Sequence, residues 1–104
     1  MDIGDYDNAL KCFNKQLKNA LKNKLQSFVA YAYNNLSSIH RIKNDLEKAQ
    51  TFARKALELS KKINLLPEIN TSLNKLGILA LFQQDFDKAL LYFNESQTIS
   101  AKLG

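Results

Sequence analysis

Apolar residues recur at three- and four-residue steps in five separate stretches, and that spacing predicts five amphipathic helices. Tyr6, Ala9, Leu10, Phe13, Leu17, Ala20 and Leu21 draw one stripe over residues 5 to about 23. After a break near Asn23-Lys24, the residues Leu25, Val29, Ala32, Tyr33, Leu36, Ile39 and His40 mark a second helix that ends around Lys43-Asn44. Asp45 opens a third, with Ala49, Phe52, Ala53, Ala56, Leu57 and Ile63 on its inward face, expected to pack against the second. Asn64-Leu65-Leu66 interrupts the pattern and Pro67-Glu68 restarts it. Proline suits the first helical turn, and an acidic residue there meets the positive end of the dipole. The fourth stripe is Ile69, Leu73, Leu76, Gly77 and Ala80, ending at Gln83-Gln84. Asp85 starts the fifth helix, which runs through Ala89, Leu90, Phe93 and Ile99 to about Lys102, with Leu103-Gly104 as its stop.

The stretches are not independent. Asp85-Phe86-Asp87-Lys88-Ala89 answers to Asp45-Leu46-Glu47-Lys48-Ala49 and to Asp5-Tyr6-Asp7-Asn8-Ala9, so the three alanines stand 40 residues apart. A fixed period of that length is the mark of a stacked repeat. It divides the chain into residues 1–24, the second helix of a truncated unit, then complete units over 25–64 and 65–104.

Leu73-x-x-Leu76-Gly77-x-x-Ala80, followed by Phe86, Ala89 and Phe93, resembles the tetratricopeptide repeat, a helix-turn-helix unit whose small residues let two antiparallel helices approach closely. The preceding copy keeps Tyr33, Leu36, Leu46, Ala49, Ala53 and Ala56, with Ser37 in place of Gly77 and His40 in place of Ala80. The units exceed the common length of about 34 residues and lack the usual closing proline. They resemble the longer-helix variety found in kinesin light chains, cell-polarity adaptors and bacterial peptide-sensing regulators. The resemblance implies an all-α fold, an antiparallel helix-pair solenoid wound as a right-handed superhelix of five helices.

Composition narrows the function. With 104 residues, 45% of them hydrophobic, one proline and three glycines, the chain suits a single domain of long helices. No run of about 18 apolar residues and no basic-apolar-small leader is visible, so neither a membrane span nor a secretory signal is expected. The lone Cys12 makes no internal disulfide, and cytoplasm is the default compartment. The net charge of +5 favours acidic partners. Much of it lies at Lys11, Lys15, Lys18, Lys22 and Lys24, which read as a solvated face. Nucleic-acid binding would want arginines and aromatics interleaved, yet the only arginines are Arg41 and Arg54.

No constellation supplies a nucleophile, a base and a charge stabiliser together, so no enzyme is expected. The acidic pairs Asp5/Asp7, Asp45/Glu47 and Asp85/Asp87 sit at helix starts, where carboxylates cap backbone N–H groups. His40 reads as a packed residue of the second helix, and Cys12, one repeat before Phe52, as a partly buried small apolar one. Nothing suggests a metal or cofactor.

The informative set is the other face of the second and fourth helices: Tyr31, Asn34, Asn35, Ser38 and Arg41, then Thr71, Asn74, Lys75, Ile78, Leu81 and Phe82. In proteins the repeat resembles, these positions line a concave surface that grips peptides. An asparagine amide both donates and accepts, so Asn34 and Asn74, 40 residues apart, would hold an extended backbone. Arg41 and Lys75 would select an acidic group, and Ile78, Leu81 and Phe82 would anchor an apolar one. The expected function is a protein- or peptide-interaction scaffold. The alternatives are a peptide-sensing regulatory segment of a larger bacterial signalling protein and a structural or oligomerisation element. Terminal helices that lack a neighbour on one side also predict self-association.

Overall fold

The computed structural model describes residues 3–103, and every element in it is a helix: α1 (Ile3–Lys22), α2 (Gln26–Ile42), α3 (Leu46–Lys62), α4 (Leu66–Phe82) and α5 (Phe86–Leu103). The expected all-α architecture and the five helices stand. Gly104, expected to be part of a helix stop, lies outside the described residues. α2 and α4 begin 40 residues apart, as do α3 and α5.

Four turns join the helices, and all four have one geometry. Lys24, Asn44, Asn64 and Gln84 each take positive φ, between 55° and 64°. The next residue in each case sends its N–H back to a carbonyl five positions earlier, Leu25 to Ala20, Asp45 to His40, Leu65 to Ser60 and Asp85 to Ala80. This closure satisfies the last carbonyls of each helix without a loop. Because the turns within and between helix pairs are the same, each helix folds back on its predecessor in the same way.

The starts of the helices differ. Asp45 and Asp85 accept from the N–H groups of Lys48 and Lys88 at 3.2 Å, so the expected capping holds for α3 and α5. α1 already begins at Ile3, which puts Asp5 in its first turn, and Asp7 instead accepts a salt bridge from Lys43. α2 and α4 are preceded by Leu25 and Leu65, which give no side-chain cap, and Pro67 lies in the first turn of α4.

α2 packs between α1 and α3, and α4 between α3 and α5, and a salt bridge of 3.8 Å from Lys61 to Glu95 links α3 with α5. The heart of the array is Ala49 and Ala53 of α3 against Leu76 and Leu79 of α4, with Leu46, Leu57 and Tyr92 around them. Alanines at 49, 53 and 56 form a fully buried ridge that lets α3 come close to both neighbours. The second pair solves the same approach differently. A Cβ on Gly77 would stand 2.6 Å from Cε1 of Phe93, so the missing side chain makes room for the ring. One repeat earlier the corresponding residues are Ser37 and Ala53, both small, and the Ser37 hydroxyl donates to the Ala49 carbonyl at 2.7 Å.

His40 is buried as expected and stacks on Phe52 at 5.4 Å between ring centroids. Desolvation lowers its pKa below the ordinary imidazole value, Lys48 and Lys43 add to the effect, and Asp45 opposes it. Cys12 corrects the sequence reading, for it is exposed rather than partly buried. Its equivalent Phe52 is covered by α2, whereas α1 has no helix on that flank among the described residues.

Candidate binding face

α2 and α4 lie side by side, and the seam between them is polar. Glu68 of α4 accepts a 2.7 Å hydrogen bond from Asn34 Nδ2 of α2, and Asn34 Oδ1 accepts from Ser72 Oγ at 3.0 Å. One turn on, Lys75 Nζ donates to Ser38 Oγ. Three-to-four-residue steps along both helices carry this ladder, with partners 34 to 38 positions apart.

The ladder settles where several expected site residues point. Asn34 is 2% exposed and turned inward, so its amide is used in holding α4 rather than presented as a rung for a peptide. Asn74 is half-buried, and its Oδ1 accepts from Ser96 of α5 at 2.8 Å. Ser96 also reaches Asn70. A hydroxyl has one hydrogen, so one of these two asparagines must offer its amide nitrogen to Ser96 instead. Asn34 and Asn74, alike in the sequence, therefore serve different neighbours, because Ser96 stands where α3 has Ala56. Thr71 spends its hydroxyl on the Pro67 carbonyl at 2.9 Å.

Outside the ladder, Tyr31 and Phe82 are 54% and 57% exposed and Ile78 and Leu81 are open to solvent, while Asn35 and Arg41 are half-buried. The Lys75 pKa is lowered, first by desolvation and then by the Arg41 charge, with Glu68 pulling the other way. The Arg41 charge is thus felt at Lys75 in the seam. Among the described residues, no carboxylate forms a salt bridge with Arg41.

Sequence reasoning missed a cavity of about 640 Å³ where the end of α1 meets the starts of α2 and α4. Ala20, Leu25, Phe28, Tyr31, Ala32, Leu65 and Pro67 give it apolar walls, and Gln16, Asn19 and Glu68 give it polar ones. Phe28 is 64% exposed, an unusual place for a phenylalanine on a helix. Its position was the available signal: Phe28 falls outside the apolar stripe of α2, one repeat before Glu68.

The family model described as tetratricopeptide repeat matches residues 1–62 and 28–102. The chain belongs to the tetratricopeptide repeat family. No match was found among curated proteins or among solved structures. In this tetratricopeptide array the α2/α4 layer carries the polar seam and α3 the alanine ridge. No helix is long and apolar enough to cross a membrane, and no group of three metal-ligating side chains occurs among the described residues. Membership of the family points to a protein-interaction scaffold.

Proposed function

We propose that the array recognises an extended acidic segment of a partner protein along the α2/α4 face. The observation that carries this reading is the cationic character of the face: Lys75, hydrogen-bonded to Ser38, feels the repulsion of the Arg41 charge against the pull of Glu68, and Arg41 forms no salt bridge among the described residues. A carboxylate placed there relieves that repulsion, and the guanidinium offers it a planar fork of donors. Tyr31, Asn35, Ser38, Thr71, Ile78 and Phe82 border the path of the segment. The cavity beside Phe28 and Tyr31 receives an apolar side chain at the end away from Arg41. Asn34 and Asn74 support this face from behind.

The test is fluorescence anisotropy with labelled ten-residue peptides that share one apolar anchor and carry three aspartates, three serines or three lysines. The acidic peptide is expected to bind best, to weaken with added salt, and to lose roughly tenfold in affinity with Arg41→Gln. Equal binding of all three peptides, or an Arg41→Gln variant that binds as the parent does, overturns the assignment.

A second reading, association of copies through the terminal helices, is favoured by the exposure of Phe86 and Leu90 on α5, at 65% and 60%. Side chains of this size seldom stand open together without a partner surface.

A further inference from the structure

A second cavity, of about 540 Å³, lies between the end of α1 and the second half of α3, on the flank of α2 turned away from α4. Helices of the chain border it on both sides. Val29 and Tyr33 of α2 form its floor, and Leu21 of α1 and Leu59 of α3 give it apolar walls. Lys24, Lys55 and Lys62 also line it, against the one carboxylate of Glu58. Among the described residues none of these three lysines forms a salt bridge. Lys62 lies in the last turn of α3, where a cation suits the negative end of the helix. Lys55 lies two turns earlier and has no such role. Its ammonium stands over the rings of Tyr33 and Phe52, at 5.8 and 5.7 Å from their centroids.

The next repeat treats the corresponding space differently. Between α3 and α5 it is crossed by the 3.8 Å salt bridge from Lys61 to Glu95. Forty residues earlier those two positions are Leu21 and Lys55. In neither place do the backbones meet, for among the described residues no Cα of α3 comes within 8 Å of α1 or of α5. Side chains alone therefore decide whether the space is bridged. Opposite charges span the second groove, whereas in the first a leucine faces a lysine. Three ammonium groups against one carboxylate leave the first groove with unbalanced positive charge over an apolar floor.

We infer that this groove is a docking surface for a segment of a partner protein in which an apolar side chain stands among carboxylates. The apolar side chain covers Leu21, Val29 and Leu59, and the carboxylates meet Lys55 on one side and Lys24 and Lys62 on the other. The volume lies within the range of about 300–1,000 Å³ that ligand sites occupy. A nucleic acid suits the groove poorly, because it has no arginine and its tyrosine ring is already covered by Lys55, which leaves no face for a base to stack on. The inference does not depend on the α2/α4 reading. The two surfaces lie on opposite flanks of α2, so one partner or two can engage them together.

The test is a nuclear magnetic resonance titration of isotope-labelled protein with the three-aspartate peptide that carries one apolar anchor. Amide signals of Val29 and Leu59 report the groove, and those of Ile78 and Phe82 report the α2/α4 face. Lys55→Glu is expected to raise the dissociation constant read at Val29 and Leu59 roughly tenfold. Leu21→Lys combined with Lys55→Glu, which copies the Lys61–Glu95 bridge into the first groove, is expected to do the same. Lys11→Glu makes the same change of charge at an exposed site of α1 outside the groove and leaves that constant unchanged. Circular dichroism confirms that the variants keep their helices, as Leu21 and Lys55 are exposed. Arg41→Gln weakens the response at Ile78 and Phe82 alone, so the two surfaces fail separately. No response at Val29 and Leu59, or one indifferent to Lys55→Glu, overturns the docking surface and leaves the α2/α4 reading standing. Phosphatidylserine vesicles that bind the parent but not Lys55→Glu, with no peptide response in the groove, assign it to a membrane and overturn the protein partner. A sedimentation mass above the 11.8 kDa protomer that Lys55→Glu brings down, again with no peptide response, assigns it to a second copy and overturns the inference likewise.

Discussion

Replacing Asn34 by alanine is expected to destabilise the fold, although asparagine on a helix is ordinarily a surface residue. The substitution leaves the Glu68 carboxylate without its 2.7 Å donor and removes the acceptor of Ser72. A hydrogen bond to a charged acceptor contributes about 1.5–3 kcal/mol when its loss strands the partner. Ser72 is less affected, because its one hydroxyl hydrogen then turns wholly to the Glu68 carbonyl at 2.8 Å. Alanine returns about 0.5 kcal/mol as the better helix former. The net loss is about 2 kcal/mol, which for a chain of this size lowers Tm by about 10 °C. Urea unfolding followed by the helical circular dichroism signal measures it, with Asn35→Ala as the control one position along, expected to change stability by less than about 0.5 kcal/mol. In a Glu68→Ala background the cost of Asn34→Ala should fall by about 1 kcal/mol or more, since no carboxylate is then stranded. A loss under about 0.5 kcal/mol for Asn34→Ala, or strict additivity with Glu68→Ala, would refute the claim that this amide holds the two helices together.

Other substitutions test the remaining features. Gly77→Ala is expected to cost about 1–2 kcal/mol through crowding of the Phe93 ring, and the same change in a Phe93→Ala background to be neutral or stabilising, as read by thermal unfolding. His40 has a folded pKa below its unfolded value of 6.5. Its contribution is therefore fully present above pH 6.5 and is lost as pH falls through the lowered folded value, because the unfolded chain takes up the proton first. The drop in stability between pH 7.5 and pH 5 should be smaller in His40→Leu. Gln84 has φ of 60°, a left-handed conformation with no steric penalty for glycine, so Gln84→Gly should stabilise the last turn by about 0.5–1 kcal/mol.

The helices were legible because their signals are local. Apolar residues at helical spacing, Asp45 and Asp85 as caps, and breaks at Asn44 and Gln84 all act within one turn of chain. The face of α4 was legible too, as Leu73, Leu76, Gly77 and Ala80 are buried together, whereas Leu21 and Leu25, expected in the stripes of the first two helices, are exposed beside the turn that joins them. What was not legible depends on which helix stands opposite. Asn34 and Asn74 occupy equivalent positions, yet one meets Glu68 and the other Ser96, and nothing local to either residue tells them apart. Leu90 continues the stripe of α5 on a wheel but is exposed, because its flank is the one that α3 turns to α4 and α5 has no such neighbour among the described residues. Cys12 is open for the same reason on α1. The cavity beside Phe28 is assembled from three helices, so no single stretch announces it.

The polar seam and the apolar ridge do different work in this array. Contacts such as Ala53 with Leu76 and Leu79 are non-directional, and a helix sliding by one turn along an alanine ridge would find similar partners. The ladder of Asn34 to Glu68 and Ser72, then Ser38 to Lys75, does not tolerate that slip. Moving α4 back by four residues would set Asn34 against Ser72 and Leu76, and Ser38 against Leu79, taking Glu68 and Lys75 away from these partners. Stranding two partly buried ions costs several kcal/mol, more than a shifted hydrophobic contact loses. The seam therefore sets the offset between α2 and α4. That offset is also what sets Lys75 within the field of Arg41 and puts Tyr31 and Glu68 in the wall of one cavity, so the residues that fix the stacking of the repeats fix the charges on the face they share.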